Sequence, residues 1–378
     1  MLFAWLVTMV LHEEPRMVGL AQMALLVPAS LLMLVGGSFA DHFGGRRIAV
    51  LAQSLALLPP LFLVGLLATG TLRFGAMLAY AVAMGLAQAF VTPARDSLLN
   101  DVAETGIQQT VIRASFVQFG AQIAGFLLAS RADAVGAYPI LALQIAALGL
   151  GALVLARVRA DHPPRAEDAH WLRDLFASVA EGARTVWAAP EMRMVVLQNV
   201  AMGVCFMGSY IVTVPLLVRE RYHGSSADLG LLNAANSLGL LTTVVALMRV
   251  GDVKHRRRAL IRAQAVGAAV LALIGMGFEF PLTTALIYLW GMCGGLAMSM
   301  ARTIMQEDAP PGQAGRVMSF FSFSLLGAGP IGALFCGYLV TWFGPEHALV
   351  AAAAVMASVV TAFTVWSRER LTAAATGE

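Results

Sequence analysis

Residues 37–47 read GSFADHFGGRR, a short polar island between two long apolar runs. Residues 21–40 carry only Gln22, Ser30 and Ser38 as polar side chains, and residues 48–68 only Gln53 and Ser54. Each run matches the length of about 20 residues that a helix needs to cross about 30 Å of hydrocarbon. The island therefore falls where one spanning helix turns into the next. It places a carboxylate (Asp41), two glycines (Gly44, Gly45) and two arginines (Arg46, Arg47) at that turn.

The rest of the composition agrees with a membrane-embedded chain. Hydrophobic residues make up 59% and charged residues 12%, against roughly 45–50% and about 25% in soluble domains. A chain of 378 residues with so little polar surface reads as an all-α polytopic helical membrane protein. Transmembrane strands would alternate every second residue, whereas these runs are apolar on all sides. The net charge of +3 is too slight to signal nucleic acid. Cys205, Cys293 and Cys336 all fall inside apolar runs with no CxxC pair, so packed thiols are expected.

About twelve apolar segments follow one another: 1–11, 17–40, 47–68, 73–94, 107–130, 134–157, 192–218, 227–249, 259–278, 281–301, 315–341 and 346–367. The first is half a span and reads as the outer half of a first helix. The expected division is a six-helix bundle over 1–157, a cytoplasmic linker over 158–191, a second six-helix bundle over 192–367 and a tail over 368–378. The linker opens on Asp161-His162-Pro163-Pro164, a helix-stopping turn. It then shows Trp171, Leu172, Leu175, Phe176, Val179, Val186 and Trp187 at helical spacing, which predicts an amphipathic surface helix. With the 41–47 turn in the cytoplasm, most arginines fall inside and only Arg16, Arg73, Arg131, Arg219 and Arg221 fall outside. The C-terminus is then cytoplasmic.

The halves also repeat. A shift of 211 residues carries Asp41 onto Asp252, Arg46 and Arg47 onto Arg257 and Arg258, and Ala52-Gln53 onto Ala263-Gln264. A shift of 207 carries Asp101 onto Asp308, Gly120 onto Gly327 and Gly125 onto Gly332. Internal duplication is the sequence trace of a transporter built from two related halves around a shared site.

The stretch 37–47 resembles the signature loop of the major facilitator superfamily, with Gly37, Asp41, Gly44 and Arg46 in register and His42 and Gly45 standing where that loop usually has arginine. Val91-Thr92-Pro93-Ala94-Arg95-Asp96 and Gly120-Ala121-Gln122-Ile123-Ala124-Gly125 are similar to stretches of its siderophore and macrolide exporter branch, with Ala121 in place of a proline. The resemblance implies two pseudo-symmetric bundles, alternating access and efflux of a small solute. It also implies a gating loop made of Gly37, Asp41, Gly44, Arg46 and Arg47 with Asp96 as the acid facing the arginines. Without the resemblance, the same residues end two helices and fix topology.

Arg113 is the one charge well inside a span, and a central arginine costs about 2.5–3.5 kcal/mol. It either pairs structurally or faces a cavity that takes an anionic solute. Gln88, Gln118, Gln122, Gln198, Asn199, Asn233 and Asn236 could line that cavity or hydrogen-bond between helices, at about 0.6 kcal/mol each. With Phe116, Phe206, Tyr210 and Trp290, the lining suits a bulky, partly apolar solute. Gly327, Gly329, Pro330 and Gly332 mark either a kink or a close helix crossing. No phosphate-binding loop, metal cluster or catalytic motif is present, so no cofactor is expected. The expected partners are a small-molecule substrate and the lipid bilayer, with proton or ion coupling, in a monomer of the bacterial inner membrane. The alternatives are a non-transporting sensor or scaffold that keeps the fold, and a solute importer.

Overall fold

The computed structural model describes residues 2–101, 107–158, 171–250, 253–310 and 314–376. Among these residues there are helices and turns and no strand. In chain order they are α1 (Leu2–Trp5, continued by a π turn over Leu6–Val10), α2 (Pro15–Phe43), α3 (Gly45–Leu55), α4 (Leu58–Ala68), α5 (Phe74–Asp101), α6 (Ile107–Ala129), α7 (Ala132–Val135) and α8 (Ala137–Arg157). Then come α9 (Trp171–Ala188), α10 (Pro190–Met202), π turns over Gly203–Met207 and Ser209–Thr213, α11 (Val214–Glu220), α12 (Ser226–Val250), α13 (Arg256–Ile274), α14 (Phe280–Glu307) and α15 (Ala314–Thr376).

Glycine and proline set the boundaries. Gly44 has φ +92° and separates α2 from α3, a conformation that side chains with a Cβ rarely adopt. Pro59 and Pro60 lack the N–H groups a helix interior needs, and they occupy the first turn of α4, where that lack costs nothing. The apolar run 47–68 is therefore two helices, α3 and α4, where the sequence alone reads as one. The long α15 is likewise broken at Gly344, which has φ +79° and is followed by Pro345, so the two last segments expected from the sequence are distinct.

Eight stretches among the described residues are long and apolar enough to cross a membrane, including Gly45–Ala68, Pro190–Glu220 and the kinked Phe320–Val365. A helix, α9, lies in the region expected to be the linker, with Val186 buried and Trp187 exposed. The turn at Asp161–Pro164 lies outside the described residues, as do the side chains of 171–179.

Contacts group the chain into two units. Unit 1 comprises Met1–Ala180 with Ser225–Gly230, and unit 2 comprises Glu181–Gly224 with Leu231–Glu378. Each unit has a helix crossing that only glycine permits. In unit 1, a Cβ on Gly85 of α5 would stand 2.2 Å from the Leu25 carbonyl oxygen of α2, and one on Gly36 would stand 2.1 Å from the Ala89 carbonyl oxygen. In unit 2, a Cβ on Gly291 of α14 would stand 2.2 Å from the Asn236 carbonyl oxygen of α12, and one on Gly239 would stand 2.1 Å from the Tyr288 carbonyl oxygen. Leu25 and Asn236 differ by 211 positions, the offset of the sequence repeat. The repeat is thus visible as the same backbone approach made twice. Small residues let helices pack this closely in lipid, where no hydrophobic effect drives them together.

Candidate functional site

The turn quoted at the outset carries two exposed arginines in the first turn of α3. Cations are unfavourable at a helix N-terminus by about 0.3–1 kcal/mol. Arg46 offsets this by donating from Nη2 to the carbonyl oxygen of Ala156, in the last turn of α8, where a cation is favourable. Arg47 makes no ion pair among the described residues. Gly37 and Asp41 lie on α2, Asp96 on α5 and Arg113 on α6, but their side chains lie outside the described residues, as do those of Asp101 and Phe116. Asp252 and Glu104 lie outside them altogether.

The corresponding end of unit 2 is a charge cluster. The helix α13 opens on Arg256, Arg257 and Arg258, and α14 closes on Glu307 with Asp308 as its C-cap. Basic residues at an N-terminus and acids at a C-terminus each oppose the helix dipole, so the two ends neutralise one another. Arg256 pairs with Glu307, and Arg257 pairs with Glu191 in the first turn of α10. Desolvation pushes the Asp308 carboxyl above its ordinary value, with the like charge of Glu307 adding to the rise and Arg257 opposing it.

Deeper in unit 2, the seventh apolar segment is not a plain α-helix. The helix α10 runs into two π turns, and Gly203 in the first and Gly208 between the two approach α15 closely. A Cβ on Gly203 would stand 2.7 Å from the Cβ of Ala328, and one on Gly208 would stand 2.5 Å from the carbonyl oxygen of Gly332. The glycines of α15 therefore serve close packing at Gly332. Inserted π turns are frequent at functional sites because they re-aim side chains. Here they carry Phe206 and Tyr210 onto Trp290 of α14, with ring centroids 5.7 Å and 6.4 Å away. Trp290 and Phe206 are buried.

Polar groups are buried in the same unit. Gln198 is fully buried, and neither its Oε1 nor its Nε2 has a hydrogen-bond partner among the described residues. The Oγ of Ser237 and the Oε1 of Gln264 are likewise buried and unpartnered. Each such group costs about 1–3 kcal/mol unless something satisfies it, which is the property expected of atoms kept for a solute or water. Asn199 differs, because its Nδ2 donates to the carbonyl oxygen of Phe321 at 3.1 Å and to Ser324 Oγ at 2.8 Å. It bonds α10 to α15, and only its Oδ1 is left over. Asn233 is buried and has a partner, while Asn236 is half-buried. In unit 1, Gln88 is exposed and accepts from Thr92 Oγ1 at 3.4 Å, and Gln118 and Gln122 are both exposed on α6.

A second polar cluster lies in unit 1. The carboxylate of Asp133, in α7, accepts from the indole Nε1 of Trp5 at 2.8 Å and from the backbone N–H of Ser226 at the start of α12. In return the Asp133 N–H donates to Ser226 Oγ at 3.0 Å, and that hydroxyl donates to the Ser130 carbonyl oxygen at 2.9 Å. Desolvation raises the Asp133 carboxyl, but the bonds from the Ser226 backbone, Trp5 and the Ser226 side chain outweigh it, so the group sits below its ordinary value.

A sequence model described as Major Facilitator Superfamily matches residues 1–333 and again 200–377. The chain belongs to the Major Facilitator Superfamily. Among its relatives, a protein named multidrug efflux pump Tap from Mycolicibacterium fortuitum is 23% identical over 357 residues, covering 89% of this chain and 83% of that protein. Its namesake from Mycobacterium tuberculosis is 24% identical over 372 residues, covering 93% and 85%. Solved structures of the same fold include a POT family transporter in complex with 5-aminolevulinic acid (TM-score 0.72, 13% identity, covering 97% of this chain and 92% of that one). The nucleoside transporter NupG matches with TM-score 0.67 and 14% identity, covering 96% and 92%.

This member of the superfamily is thus an integral membrane secondary transporter for small molecules, and the sequence signals its candidate-site side chains unevenly. Trp290, Phe206 and Tyr210 do come together. The charge cluster of Glu191, Arg256, Arg257, Glu307 and Asp308 was only half visible. The repeat pointed to Arg257 and Asp308, but nothing local marked Glu191. Trp5, Asp133 and Ser226 were missed as a group. The one readable signal there was the Ser225-to-Asp228 spacing of a capping box, in which Asp228 accepts from the Ser225 N–H at 2.7 Å.

Proposed function

We propose that this chain exports small, partly apolar solutes from the cytoplasm across a bacterial inner membrane. In this reading it works as a monomer driven by a proton or ion gradient, with both the 37–47 turn and the C-terminus on the cytoplasmic side. The observation that carries the substrate class is the corner of Phe206, Tyr210 and Trp290, set by π turns in the same unit as the unpartnered amide of Gln198. Aromatic walls with a few neutral polar atoms are the usual lining of a site for drug-sized solutes. The relatives named as multidrug efflux pumps support the outward direction. The gating loop of Gly37, Asp41, Gly44, Arg46 and Arg47, with Asp96, then biases the chain toward a cytoplasm-closed state.

The test uses purified protein in liposomes with an imposed proton gradient and ethidium as the transported dye. Gradient-dependent flux is expected, and Trp290→Ala or Tyr210→Ala should cut it several-fold at unchanged abundance. Well-folded protein with no gradient-dependent flux of ethidium or of other lipophilic dyes would sink the exporter reading and favour a sensor.

A further inference from the structure

An apolar cavity of unit 1 is an open groove of about 670 Å³ between α3–α4 on one side and α5 on the other. It shares no lining residue with the aromatic corner of unit 2. Its floor is small side chains, Ala79, Ala83 and Ala87, one helical turn apart on α5. Its opposite wall is Leu51, Leu55, Leu58 and Phe62, each about half exposed. The one polar side chain along it, Tyr80, already accepts a hydrogen bond from Gln144 Nε2 at 3.2 Å. Both walls belong to stretches apolar enough to span a bilayer, Gly45–Ala68 and Phe74–Arg95, so the groove runs along membrane-spanning helices.

One end of the groove is charged. Arg47 precedes Leu51 by four residues and Leu55 by eight, so it heads the same helix face. It is exposed and makes no ion pair among the described residues, whereas its neighbour Arg46 is engaged with Ala156. A long apolar trough headed by an exposed guanidinium matches an amphiphile with an anionic head and an acyl tail. Guanidinium suits phosphate through its planar fork of donors.

We propose that this groove binds a glycerophospholipid of the surrounding bilayer, with one acyl chain along α3–α4 and α5 and its anionic phosphate headgroup at Arg47. The inference does not depend on the direction of transport or on the solute.

The test is native mass spectrometry of detergent-purified protein exposed to equal phosphatidylglycerol and phosphatidylcholine. The wild type should retain phosphatidylglycerol preferentially. Arg47→Gln should lower that preference about fivefold, which is what about 1 kcal/mol per basic side chain near an anionic surface amounts to. Ala87→Trp, which fills the floor, should remove retention of both lipids, and the milder Ala87→Leu should weaken it in protein whose melting temperature matches wild type. An unchanged lipid preference in Arg47→Gln, or unchanged retention in a folded Ala87 variant, overturns the proposal. So does a groove variant that displaces a lipophilic dye while leaving lipid retention intact.

Discussion

Replacing Asp133 by asparagine removes a charge and keeps the shape, so it isolates what the carboxylate does in its corner of unit 1. Two donors point at it, the Trp5 indole at 2.8 Å and the Ser226 N–H at the first turn of α12. Hydrogen bonds to a charged acceptor contribute about 1.5–3 kcal/mol each when buried, but the Asp133 side chain is exposed. Solvent screening cuts this to about 0.5–1 kcal/mol per bond, and the helix N-terminus adds about 0.3–1 kcal/mol. Asparagine can satisfy one donor with its oxygen but turns an NH2 group toward the other. The expected loss is therefore about 1–2 kcal/mol, read as a fall in apparent melting temperature at fixed scan rate in detergent. The pH dependence sharpens the test. The folded carboxyl sits below its ordinary value of 3.8, so its contribution is present above that value and is lost as pH falls through the lowered one. The gap between wild type and variant should stay constant from about pH 8 to about pH 5 and close only in stronger acid. A double-mutant cycle with Trp5→Phe should show coupling, because the two residues share one bond. A gap that narrows above pH 5, or strict additivity with Trp5→Phe, would refute the account.

Asp308 should behave with the opposite sign. Desolvation and Glu307 raise its folded pKa above 3.8, so the ionised form is disfavoured and stability is lost as pH rises through the folded value. Asp308→Asn should raise the melting temperature at pH 7, and the gain should fade in acid, checked by the same pH series. The glycine crossings give a packing test. Gly85→Val or Gly291→Val would drive a Cβ to 2.2 Å from a backbone carbonyl oxygen, and overpacking of this kind costs about 1–3 kcal/mol. Gly65→Val, where nothing lies within 4 Å, should leave the melting temperature unchanged.

The helices were legible because their signals are local. Length, hydropathy and the polar island at 37–47 suffice to place spans, and the 211-residue offset that links Asp41 to Asp252 also separates Leu25 from Asn236, whose carbonyls Gly85 and Gly291 approach. Breaks inside spans were less legible. Pro59 and Pro60 mark one, yet hydropathy runs straight through them. The π turns at Gly203 and Gly208 have no sequence mark of their own, because they depend on how near Ala328 and Gly332 of a distant helix come. The amides show the same limit. Gln198 and Asn199 are adjacent and equally apolar in context, but one has no partner among the described residues and the other bonds Phe321 and Ser324. Which of the two stays free is decided by the neighbour that each helical face meets.

The two copies of the arginine turn show why a motif's wording is a poor measure of its charge pairing. The first copy keeps more of the superfamily pattern, yet the described contact of Arg46 is to a neutral carbonyl at the end of α8. The second copy keeps less of it, yet its arginines hold Glu307 and Glu191. Both turns face one physical problem, cations at a helix N-terminus, and solve it with whatever the neighbouring helix ends supply. Unit 2 supplies carboxylates to Arg256 and Arg257, while Arg258, the counterpart of Arg47, is exposed and makes no ion pair among the described residues. Unit 1 commits Arg46 to a helix C-terminus and leaves Arg47 on the same face as an apolar groove. Duplication thus preserved the cations and let their described partners diverge, so that Arg46 meets a neutral helix C-terminus while Arg257, its counterpart at the 211-residue offset, meets the carboxylate of Glu191.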